Sequence, residues 1–239
     1  LWGEPAVLSA ASRAGFDWLA IDQQHGRFDD RAMREALSVP RDHRADVMVR
    51  VGANDPMLIG RALDSGADGV IVPMVRTVAD AERAVAACRH PPAGIRSSGP
   101  PLVTVRDDAP DRGAPRCSIM IETAEALAAV RAIAAVDGVD ELFVGPVDLS
   151  AALGRSLEEL VSGGDELRAV VAAAHDAGIP ASCFAGSARA ASAFVALGFD
   201  AVAAATEDAL VDAGAAAVRA AVLDPAPGRA AAAATTVSH

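Results

Sequence analysis

Short, nearly unbroken apolar runs alternate with amphipathic stretches from one end of the chain to the other. The runs fall at 1–2 (a stump), 16–22, 47–51, 69–73, 117–122, 141–145, 180–184 and 200–204. Few show the in–out alternation of a half-buried strand, so they read as parallel strands covered on both faces. Between them, apolar positions recur with helical spacing at 5–14, 29–38, 55–65, 77–89, 123–135, 164–177, 187–197 and 206–222. Several of these stretches open on recognisable caps: Asp55-Pro56, Thr77 with Asp80, and Thr123. Eight strands and eight helices in strict alternation predict an α/β fold, a (β/α)8 TIM barrel. A doubly wound open sheet gives the same alternation, usually with fewer strands.

Two segments break the rhythm. Residues 90–116, rich in Pro, Gly, Arg and Asp, are too long for an ordinary helix-to-strand connection, and loops of that size are usually functional or disordered. The alanine-rich tail 223–239 reads as a low-complexity extension. No interdomain linker appears, so 1–222 is expected to be a single barrel domain.

Composition changes the picture in one decisive way. Among 239 residues the 21 basic side chains are all arginine, and there is no tyrosine. Schiff-base, pyridoxal-phosphate and P-loop chemistry each need a lysine amine, so all three are excluded. Codon bias accounts for the missing lysine, but the chemical exclusion holds whatever its origin. A net charge of -11 argues against a nucleic-acid partner. No run approaches the twenty or so apolar residues of a membrane span. Cys88, Cys117 and Cys183 lie far apart inside apolar runs, as buried hydrophobes would in a reducing cytoplasm. No secretory leader is expected from the opening Leu1-Trp2-Gly3-Glu4-Pro5, which reads as a trimmed start.

A parallel barrel carries its chemistry at the C-terminal ends of its strands. There the chain places Asp22 and His25, then Arg50, then Glu122, then Asp148: five titratable residues from four strands. Each also has a plainer role. Asp148 suits a helix cap, Glu122 the dipole of the following helix, Arg50 a neighbouring carboxylate, and His25 a solvated loop. Together they suit a hard cation: magnesium or manganese takes one or two carboxylates, keeps waters and accepts substrate oxygens. Such an ion beside an arginine can hold a 2-oxo acid and its enolate, with His25 moving protons and Asp22 orienting the imidazole.

The segments 14–26, Val49-Arg50 with Asn54-Asp55-Pro56, 69–75, 91–96, 119–123 and 145–150 resemble, in order, the HpcH/HpaI family of metal-dependent (class II) pyruvate aldolases, of the 4-hydroxy-2-oxoheptanedioate aldolase type. The resemblance covers residues 1–222. It implies a carbon–carbon lyase that cleaves 4-hydroxy-2-oxo acids to pyruvate and an aldehyde. Its metal ligands would be Glu122 and Asp148 for Mg or Mn, with Co a further candidate. His25 would be the acid/base and Asp22 its partner. Arg50 would bind pyruvate, with Gln24, Gly145 and Pro146 beside the substrate. It also implies a homo-oligomer, a hexamer built as a trimer of dimers with the last helix swapped, and places Asp64 near a neighbouring subunit's site.

Three departures stand out. Gln23-Gln24 precedes His25 where many members have Gly-Glu, Met120 replaces a Gln of some relatives, and the 97–116 connection is shorter than is usual in the family. Rival readings are an oxaloacetate decarboxylase or citrate-forming condensing enzyme on the same site, and a barrel that binds without turnover.

Overall fold

The computed structural model describes residues 5–38, 45–99 and 113–223. Seven parallel strands pair in chain order: β1 (Trp18–Asp22), β2 (Asp46–Arg50), β3 (Gly69–Val72), β4 (Arg116–Ile121), β5 (Glu141–Val144), β6 (Ala181–Phe184) and β7 (Ala201–Ala203). They form a nearly closed barrel, and one cavity is lined from both edge strands, by Leu19 and Ala20 of β1 and Val202 and Ala203 of β7. The expected strand at 1–2 lies outside the described residues, as do 100–112 of the long connection and 224–239 of the tail. The other seven expected strands are present, shifted by a residue or two at their ends.

The helices follow the expected spacing. They are α1 (Pro5–Arg13), α2 (Asp30–Ser38), α3 (Pro56–Asp64), α4 (Val78–Cys88), α5 (Ala124–Ala128), α6 (Val130–Ala134), α7 (Pro146–Ala152), α8 (Leu157–Gly163), α9 (Asp165–Asp176), α10 (Ala188–Ala196) and α11 (Glu207–Leu223). The single helix expected over 123–135 is two short pieces that meet at Ala129. All three expected caps form. Asp55 accepts from the N–H groups of Met57 and Leu58, Thr77 and Asp80 make a reciprocal capping box, and Thr123 accepts from Ala126. Helices α7 and α8 were not anticipated; α8 opens on a second capping box, Ser156 with Glu159.

Strand pleat sorts the side chains into two sets. Val47, Val49, Val70, Val72, Ile119, Ile121, Leu142 and Val144 point outward and join the core beneath the helices. Trp18, Met48, Ile71, Met120 and Phe143 fill the barrel lumen, with Trp18 and Phe143 edge to face at 6.2 Å. Further along the strands, the same inward parity brings Asp22, Arg50, Glu122 and Gly145 to the C-terminal rim. Alternation and register therefore set the rim.

Candidate active site

Asp22 and Arg50 are direct register partners at the ends of β1 and β2. The Arg50 guanidinium closes on the Asp22 carboxylate in a fork, Nε donating to Oδ1 at 2.8 Å and Nη2 to Oδ2 at 2.6 Å. Asp22 Oδ1 also accepts the backbone N–H groups of Gln24 at 3.0 Å and His25 at 3.3 Å, which shapes the turn leaving β1. Burial alone would raise this carboxyl's pKa. The hydrogen bond and charge of Arg50, helped by the two backbone N–H groups, outweigh it and hold the group below the usual aspartate range. Asp22 was expected to orient the His25 imidazole; in the structure its oxygens accept from the Arg50 guanidinium and from two amides, one of them that of His25, and no hydrogen bond joins it to the ring. The plainer role weighed for Arg50, pairing with a neighbouring carboxylate, is present, and a guanidinium with five N–H donors keeps others for a ligand.

His25 is exposed on the cavity wall, and among the described residues no side chain bonds its ring. Gln24 has a buried Oε1 without a hydrogen-bond partner, and it does not line the main cavity. Asp64 lies away from this rim on α3, where Arg96 donates to it at 2.6 Å.

Glu122 follows β4 and is 2% exposed. Its Oε1 accepts the backbone N–H of Met74 at 2.6 Å. Burial raises its pKa and the Asp148 charge adds to this, against the opposing pull of the Met74 N–H, Arg50 and His25. The Asp148 charge thus reaches the Glu122 carboxyl. Asp148 sits in the first turn of α7, not at its cap. Gly145 is the N-cap, no side chain caps that helix, and no described partner holds the Asp148 carboxylate. Gly145 also leaves room: a Cβ there would stand 3.2 Å from Glu122 Oε2 and 2.6 Å from Met120 Cε. Glycine thus keeps the space over the second Glu122 oxygen open.

These residues fit a hard divalent cation. Two carboxylates are available, with open space beside one of them. Among the described residues no group of three or more His, Cys, Asp or Glu side chains converges; a set of two carboxylates is of the kind that magnesium takes while keeping its waters. It does not suit zinc enclosed by protein ligands. A cavity of about 520 Å³ is lined by Asp22, His25, Arg50, Gly145, Pro146 and Asp148, whereas Glu122 is not among its lining residues. Its lining also includes the apolar side chains of Phe28, Val147, Phe184 and Leu210.

The fold is thus a parallel barrel that brings two carboxylates, an arginine and a histidine to its C-terminal rim. The chain belongs to the HpcH/HpaI aldolase/citrate lyase family, whose sequence profile matches residues 3–213. It is 37% identical over 160 residues to a hydroxypyruvate/pyruvate aldolase of Roseovarius nubinhibens, covering 64% of this chain and 62% of that protein. It is 39% identical over 148 residues to a 4-hydroxy-2-oxo-heptane-1,7-dioate aldolase of Salmonella dublin, covering 59% and 56%. The chain spans about three fifths of the length of the curated relatives it matches. Among solved structures, an HpcH/HpaI aldolase/citrate lyase family protein from Burkholderia cenocepacia superposes with a TM-score of 0.79 at 31% identity, covering 92% of each chain.

Proposed function

We propose that this barrel is the catalytic domain of a divalent-metal-dependent carbon–carbon lyase. It would cleave 4-hydroxy-2-oxo acids to pyruvate and an aldehyde, and run the addition in reverse. The observation that carries this reading is the convergence of Glu122, Asp148, Arg50 and His25 at one rim, in a chain that has no lysine.

Glu122 and Asp148 would hold the cation, magnesium or manganese. When bound, it would supply Lewis-acid stabilisation of the charge that develops on the 2-oxo oxygen. Arg50, pre-aimed by Asp22, donates N–H groups to the substrate's carboxylate end. His25 accepts the proton of the 4-hydroxyl as the C3–C4 bond breaks. The electron pair passes to C3, the aldehyde leaves, and protonation at C3 yields pyruvate. Glycine at position 145 keeps the space between carboxylate and ligand clear.

The reading extends to assembly and setting. None of α11's residues is buried, and Leu210, Val211, Val218, Val222 and Leu223 are exposed along it. Such a helix suits exchange with a second subunit, in keeping with a homo-oligomer built as a trimer of dimers. No helix among the described residues is long and apolar enough to cross a membrane. Three buried, free cysteines suit a reducing cytoplasm.

The test is an array of aldehydes incubated with pyruvate and Mn²⁺, scored for aldol products, with oxaloacetate as a decarboxylation control. Aldol products supplied by this chain support the reading. Loss of CO₂ from oxaloacetate without any aldol product would replace it with a decarboxylase.

A further inference from the structure

Met74 lies two residues beyond β3, at 44% exposure, in the loop that leads to α4. Its φ is +58°, and it is the one non-glycine residue with positive φ among the described residues. That left-handed region brings Cβ too close to the backbone for most residues, so a side chain there needs a compensating gain. At 44% exposure the side chain is far from fully packed. The backbone supplies that gain. In this conformation the Met74 N–H donates to Oε1 of Glu122 at 2.6 Å, across 48 positions of sequence. Glu122 is buried, and no side-chain donor is recorded for it among the described residues. The amide is therefore what selects its rotamer.

The other oxygen, Oε2, faces the gap that Gly145 leaves open. A carboxylate pinned through one oxygen presents the other in a fixed direction, as outer hydrogen bonds do for metal-binding groups in general. We infer that Met74 is a positioning residue whose strained backbone, not its side chain, aims Glu122 at the divalent cation. This rests on the ligand assignment proposed above, and the two can fail separately.

The experiment titrates Mn²⁺ into metal-free protein and follows free Mn²⁺ by its electron paramagnetic resonance signal. Wild type is compared with Met74→Gly, Met74→Asn, Met74→Val and Glu122→Ala, each checked by thermal melting. Gly and Asn accept positive φ and keep the N–H, so Mn²⁺ affinity stays within about threefold of wild type. A β-branched residue is a genuine outlier at positive φ. In Met74→Val the loop relaxes, the N–H swings away, and affinity falls by about 10–100-fold. A folded Met74→Val protein with wild-type affinity overturns the inference.

Should Met74→Val not fold, amide hydrogen exchange decides. The Met74 N–H of wild type is protected despite its exposed loop, and it loses that protection in Glu122→Ala. Equal exchange in the two proteins overturns the inference. Wild type that binds no Mn²⁺, or Glu122→Ala that binds it normally, instead removes the ligand assignment, while exchange still reports on the Met74–Glu122 bond.

Discussion

Arg50 and Asp22 face each other across β1 and β2 in direct register and are joined by two parallel hydrogen bonds of 2.8 and 2.6 Å. The pair sits on the cavity wall, partly sheltered from water, with side-chain exposures of 20% and 10%. It fixes the one arginine that lines that cavity among the described residues. On the proposed function, the pair would hold a cationic fork in place before substrate arrives.

Asp22→Asn keeps the shape and removes the charge. The guanidinium loses its charge-assisted anchor, an interaction of about 1.5–3 kcal/mol. At about 1.4 kcal/mol per decade, turnover efficiency with pyruvate falls by about tenfold or more. Steady-state kinetics check this, with most of the loss expected in KM for pyruvate. Unchanged kinetics would mean that Arg50 needs no anchor.

The same pair predicts how stability depends on pH. Asp22 titrates below its unfolded value of 3.8, so its stabilising contribution is complete above that pH and is lost as pH falls through the depressed native value. Melting temperatures of wild type should therefore drop more steeply than those of Asp22→Asn as pH falls below about 4. Parallel curves would show that Arg50 does not hold Asp22's proton off.

Gly26 closes the turn that carries Asp22 and His25. A Cβ at position 26 would stand 2.2 Å from the backbone oxygen of Asp22, and backbone cannot move aside cheaply. Gly26→Ala should cost about 1–3 kcal/mol. In a domain of this size that is about 2–10 °C of melting temperature. Activity should fall further than the stability loss explains, because Asp22 and His25 shift together. A melting temperature equal to wild type's would contradict the geometry.

Helix α11 predicts assembly. Val218→Glu with Val222→Glu places charges on its exposed apolar positions, which should lower the mass measured by light scattering. A wild type that already runs at 24.2 kDa would remove the proposed exchange of this helix.

Barrel and rim were legible in the sequence because both depend on local pattern. Val-Ile-Leu runs ending in a polar residue mark buried parallel strands and their catalytic ends, and Asp22, Arg50 and Glu122 are such endings. Helices α7 and α8 were not read. Pro146 looks like a breaker but serves as the first residue of a helix, although Ser156 and Glu159 carried a usable capping-box signal. Asp22 was matched with His25, its near neighbour in the chain, whereas strand pairing delivers Arg50 from 28 positions away. The positive φ of Met74 gave no signal, because a methionine's backbone conformation is imposed by tertiary contacts and leaves no trace in residue type.

The central claim, metal-assisted enolate formation without a lysine, does not depend on which aldehyde the protein takes. Its most direct test is exchange of the pyruvate methyl protons with deuterated solvent, followed by proton nuclear magnetic resonance. With Mg²⁺ the methyl signal should decay, and excess chelator, Glu122→Ala or Arg50→Ala should stop the decay. Undiminished exchange in excess chelator would contradict the account.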